Sequence, residues 1–135
     1  MKINIDDLIR EADEIEKTLT GPEKHVIDYH RKNMGLNIKH PKTGRPMTAY
    51  MVGPKMRRGK YEGMIASVPG FVPGHNSNNP MSEDQAHDYW FDQIEKGVWP
   101  IYDEKTANTR SKEVHKIMDS DTLKAMRNNS GNKKD

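Results

Sequence analysis

The spacing of apolar residues changes part-way along the chain, and that change limits the fold more than any other feature. Ile5, Leu8, Ile9, Ala12, Ile15 and Leu19 recur every three or four positions and form one helical stripe. From Met47 the period is two. Met47, Ala49 and Met51 alternate with Thr48, Tyr50 and Val52, and Met64, Ala66 and Val68 alternate with Ile65 and Ser67. Strands with one buried face carry that pattern. Helical spacing then returns after Ser82. The order predicts an α+β fold: a small antiparallel hairpin or sheet at about 36–68, packed by an N-terminal αα-hairpin and two C-terminal helices.

Local punctuation supports this order. Asn4 is placed to cap the first helix, with Asp6 and Asp7 at the positive end of its dipole. Thr20-Gly21-Pro22 ends that helix, with Gly21 in the left-handed position and Pro22 opening a second helix over about 22–34. Val26, Ile27, His30 and Met34 share one side of it. Pro41-Lys42-Thr43-Gly44 is a turn signal, and Leu36 to His40 predicts an edge strand. Ser82 and Gln85 have capping-box spacing ahead of a helix over about 83–96, whose inner face is Ala86, Tyr89, Trp90 and Ile94. Val98 to Tyr102 is a short extended stretch placed to pack over the sheet. The last helix covers about 106–119, with Val114, Ile117 and Met118 inward and a restart at Asp121. Residues 1–127 read as a single domain and 128–135 as a polar tail.

Only 22 of the 135 residues are Leu, Ile, Val or Phe, so the core must be small, and nine Met pad it. Met47, Met51, Met56 and Met64 on the hairpin, like Trp90, Trp99 and Tyr102 later, read as core. The absence of Cys excludes disulfides, thiolate zinc sites and a cysteine nucleophile. No apolar run approaches the roughly 18 residues of a membrane span, and Met1 to Asp7 lacks a signal-peptide core. A soluble protein, cytoplasmic where synthesised and without a membrane partner, is expected.

The net charge of +2 conceals strong segregation. Residues 1–30 hold four basic and eight acidic side chains, whereas residues 31–74 hold nine basic ones against Glu62 alone. Residues 75–105 return to two basic against seven acidic, and 106–135 carry seven basic and four acidic. The basic middle therefore lies between two acidic segments.

Most catalytic and metal motifs fail on spacing. Gly53 to Gly59 is one residue too long for a phosphate-binding loop, and Tyr61 stands where the magnesium-binding hydroxyl belongs. His25 and His30, five apart, do not make a zincin pair. Asp119 and Asp121 lack the glycine and glutamate of a calcium loop. Asn128-Asn129-Ser130 is a glycosylation sequon without a secretory signal, and no nucleophile elbow occurs. Asp84, His87 and Asp88, at i, i+3 and i+4, form a weak metal candidate to which His75 can be added, with Asp103 or Glu104 as a third carboxylate. The plainer reading is a solvated acidic face with an incidental histidine, so that His87→Ala changes nothing. The pair His115 and Asp119 reads the same way.

The basic hairpin is the stronger lead. Lys55, Arg57, Arg58 and Lys60 form a tip bounded by Gly53-Pro54, with Arg45 and Tyr61 nearby. The expectation is a non-enzymatic interaction protein, without a cofactor, whose exposed tip points away from the acidic helices toward an acidic partner surface. An accessory or structural component of a phage-type virion or host-takeover assembly fits small size and segregated charge. Two alternatives stand beside it. One is nucleic-acid binding through the same hairpin, with Tyr50 or Tyr61 stacking on a base. The other is a small metal-dependent hydrolase or nuclease centred on Asp84, His87 and Asp88.

Overall fold

The structure is a computed structural model that describes residues 4–34, 38–39, 43–44, 47–72, 74–75 and 79–132. It has the expected α+β architecture. Helix α1 spans Ile5–Glu16 and begins as expected, with Asn4 Oδ1 accepting the Asp6 N–H at 2.9 Å. Helix α2 spans Gly21–Asn33. Gly21 is its first residue and not the left-handed cap of α1. Thr20 is the N-cap instead, in a reciprocal capping box with Glu23 that satisfies two backbone amides at once. Helix α3, Glu83–Glu95, starts at the Ser82–Gln85 capping box.

Helix α4 runs unbroken from Glu104 to Asn132, without the restart expected at Asp121. No Gly or Pro interrupts it before Gly131, and Asp121 uses its side chain for a tertiary contact instead of a second cap. Val114, Ile117 and Met118 are buried as expected. Among the described residues, no helix is long and apolar enough to cross a membrane.

The hairpin forms in an uninterrupted register. Strand β1 (Met51–Val52) pairs antiparallel with β3 (Val68–Pro69), Met51 opposite Pro69. The same register continues through Ala66 N–H to Pro54 C=O (3.0 Å), the Lys55–Ile65 bridge and Met56 N–H to Met64 C=O (2.8 Å). Strand β2 (Ile65–Ala66) turns its other side to β4 (Ile101–Tyr102), so the expected extended stretch after Trp99 joins the sheet as an edge. Residues 47–49, expected in the first strand, are not part of it, while Tyr50 keeps the register by accepting the Gly70 N–H at 2.5 Å. Thr48 is drawn sideways onto α2 by His30 and Asn33, the latter donating to the Thr48 carbonyl at 2.8 Å. Of the expected edge strand at 36–40, residues 36, 37 and 40 lie outside the described residues. Ile38 accepts a hydrogen bond from Met47 N–H at 2.9 Å.

Alternation assigns the two faces of this sheet. Pro54, Met56, Ala66 and Val68 point one way and are buried. Their face packs toward α3, where Trp90 donates to the Pro69 carbonyl at 2.7 Å and meets Trp99 edge to face at 5.1 Å. Met51, Gly53, Ile65, Ser67 and Tyr102 point the other way and are only half-buried. On α3 the inner face is Ala86, His87, Trp90 and Ile94; Tyr89, expected inside, is 43% exposed.

Helix α1 packs chiefly on α4. Among the described residues, three ion pairs join them: Glu11–Lys116 at 2.7 Å, Asp13–Lys124 at 3.2 Å and Asp6–Arg127 at 2.6 Å. The apolar stripe of α1 is buried at Ala12 and Leu19 but stays exposed at Ile5 and Leu8.

Candidate functional site

The basic tip is exposed, but it bends back onto α3 instead of standing clear of it. One contact there is with His87, which is fully buried. The Arg57 backbone N–H, which can only donate, lies 3.2 Å from His87 Nε2. Nε2 therefore accepts, the ring proton sits on Nδ1, and it is donated to Asp88 Oδ1 at 3.0 Å. The imidazole is a neutral bridge between the hairpin and α3. That hydrogen bond, more than the Arg57 charge beside it, lowers the pKa of the Asp88 carboxyl.

The side chains of the tip follow the backbone onto the helix. Arg57 pairs with Asp88 at 3.1 Å and reaches Asp84 at 3.9 Å. Lys55 pairs with Glu104 at 3.3 Å. The Arg58 guanidinium lies on the Phe91 ring, 3.8 Å from its centroid. Both carboxylate oxygens of Glu95 accept the Lys60 N–H, at 3.0 and 3.1 Å. Gly59, at φ +85°, permits this approach; a Cβ there would sit 2.4 Å from a Glu95 oxygen. Tyr61 is half-buried with the Lys60 ammonium 5.4 Å above its ring. Arg45 lies outside the described residues.

These contacts occupy the proposed metal ligands without bringing them to a common point. His87 points inward with both nitrogens engaged, while Asp84 and Asp88 lie outside on the surface. His75 stacks on Tyr89 at 4.5 Å, Asp103 caps α4 through the Thr106 N–H, and Glu104 belongs to Lys55. Among the described residues, no three His, Asp or Glu side chains are grouped to hold a metal ion. The incidental-histidine reading is corrected as well, because His87 joins two elements. His115 and Asp119 are an exposed pair 3.5 Å apart.

Two further polar centres escaped the sequence reading. Glu23 is wholly buried and holds four donors: Thr20 N–H at 3.0 Å, Tyr102 Oη at 2.6 Å, and Arg110 Nε and Nη2 at 3.0 and 2.7 Å. Burial alone would raise its pKa, but the hydrogen bonds from Arg110 and Tyr102 outweigh it and hold the carboxyl at about 2. Tyr102 shifts upward, through burial and the carboxylate it faces. Thr20-x-x-Glu23 is itself a capping-box signal that could have located Glu23; nothing in the sequence links it to Arg110.

The second centre is a chain of three groups. His30 is buried, with Nδ1 on the Thr48 hydroxyl and Nε2 3.1 Å from Asp121 Oδ2, which also accepts from Arg31 Nε at 2.9 Å. Burial lowers the His30 pKa against the pull of Asp121, so the ring is neutral, donating to the carboxylate and accepting from the hydroxyl. Hydroxyl, imidazole and carboxylate in this order resemble a hydrolytic triad. The crevice beside Thr48, however, has no room for even a water molecule. The arrangement staples α2, residue 48 and α4 together.

Comparison of the chain with protein-family models, with curated proteins and with solved structures finds no match.

Proposed function

We propose that this chain is a non-enzymatic interaction protein that meets an acidic protein surface through the loop 55–60, as an accessory or structural component of a larger assembly such as a phage-type particle. The supporting observation is the unequal use of the four basic tip residues. Lys55 and Arg57 are paired with carboxylates of the chain itself, whereas Arg58 and Lys60 have no carboxylate partner among the described residues. Both sit on a backbone fixed by His87 and Glu95. A loop ordered before it binds loses less entropy on association, so two cations held on aromatic rings and not neutralised by a carboxylate make a better contact element than four on a mobile loop. Tyr61 is half-buried with Lys60 over one face of its ring, which favours an acidic protein surface, while the 39% exposed Tyr50 keeps base stacking as the alternative that the test below separates.

Fluorescence anisotropy with labelled polyglutamate and labelled duplex DNA tests this reading. The protein should bind polyglutamate at low salt. Arg58→Ser/Lys60→Ser should lose most of that binding, whereas Lys55→Ser should lose little. Equal losses in the two variants, or tighter binding to DNA with a log–log salt slope near −0.9 per phosphate contact, would replace the proposal with a diffuse polyanion site.

A further inference from the structure

The second face of the sheet is incompletely covered. Between it and α4 lies a cavity of about 530 Å³. Its floor is Met51, Ile65 and Ser67, and Val26, Val114 and Met118 close the other side. This volume falls in the range of small-molecule sites, which run from about 300 to 1,000 Å³ and are mostly apolar with a few polar groups.

The charge around the cavity is of one sign. No Asp or Glu lines it, while Lys112, His115 and Lys116 all do, from one side of α4. Lys116 is engaged by Glu11 and His115 by Asp119, both carboxylates from outside the lining. Lys112 is exposed and has no carboxylate partner among the described residues. The hydroxyl-bearing Ser67 and Ser111 are also in the lining. An apolar floor, two serine side chains and one ammonium without a carboxylate partner among the described residues define a complementary ligand. The geometry points to a binding site for a small apolar monocarboxylate, its hydrocarbon against Met51, Ile65 and Met118 and its carboxylate at Lys112. This site is separate from the loop 55–60 and does not depend on the reading given to that loop.

Octanoate and octanol serve as probes, followed through the methionine methyl NMR signals of the full chain. Octanoate should shift Met51 and Met118 and saturate at one molecule per chain, while the exposed Met126 methyl stays in place. Lys112→Glu, a surface change, should weaken octanoate about fivefold and leave octanol unchanged, the loss expected for an exposed charge contact. Ser67→Phe, which fills the floor, should abolish both; a melting curve confirms its fold, and Ser67→Leu replaces it if that curve is lost. The proposal is overturned by the absence of shifts at millimolar octanoate, by equal affinity for octanol, or by non-saturating shifts that include Met126. Methyl shifts that move on dilution together with the sedimentation coefficient would also overturn it, assigning the face to a second copy of the chain.

Discussion

The joint at Glu23 and the joint at His87 solve the same problem in opposite ways. Each connects a helix to the central sheet region with a polar side chain that is completely buried. At Glu23 the charge itself is inside, held by an arginine, a tyrosine and a backbone amide. At His87 only a neutral ring is inside, and the charges it organises, Asp88 and Arg57, remain largely in solvent. A buried ion left without its partner is far more costly than a lost surface pair. Segregated charge in the sequence therefore does not say where stability resides; the depth at which opposite charges meet does.

The largest effect should come from breaking the Glu23 joint. Arg110→Ala is expected to cost about 3–5 kcal/mol in urea unfolding, since it leaves a buried carboxylate unpaired. Glu23→Gln combined with Arg110→Met should recover much of that loss. The pH dependence follows from the lowered carboxyl. Its stabilisation is complete above the ordinary value of 4.5 and is lost as pH falls toward about 2, where the folded carboxyl takes up its proton. Glu23→Gln should flatten the unfolding profile across that window. His30, also lowered, adds a contribution present above its ordinary 6.5 and lost as pH falls below it, which Glu23→Gln leaves in place.

His87→Ala should have an intermediate effect, about 2–3 kcal/mol, because it opens a cavity and leaves the Arg57 N–H without an acceptor. A change within 0.5 kcal/mol would return His87 to the incidental role that its sequence neighbours suggest. Arg57→Gln should have the smallest effect, under about 1 kcal/mol, as the guanidinium is half-exposed and its backbone bond to His87 survives. A larger loss would show that the tip and α3 are joined by side-chain charge more than by the imidazole.

The sequence made the helices and the hairpin legible because their signals are local. Asn4, Ser82 and the alternation at Met64 to Val68 each act over a few residues. The joints were not legible for the complementary reason. Glu23 and Arg110 are 87 positions apart, and His30 and Asp121 are 91 apart. No spacing rule connects such pairs. On α3 the periodicity admitted His87 and Tyr89 almost equally, and apolar content favoured the tyrosine. Tertiary context decided otherwise, because the α3 face turned toward the hairpin places His87 Nε2 where the Arg57 amide donates to it.

The packing of α1 on α4 has a consequence for how the molecule comes into being. Asp6 and Arg127 are joined across 121 positions, and α1 finds its main packing partner only on α4. A ribosome making this chain releases α1 first and must finish α4 before that apolar stripe can be covered. Contacts of such long sequence separation form late and slow the search for the native state. A nascent or prematurely terminated chain ending before Glu104 would display Ile9, Ala12 and Ile15 without the helix that chiefly covers them. That display marks an unfinished product for chaperones and proteases.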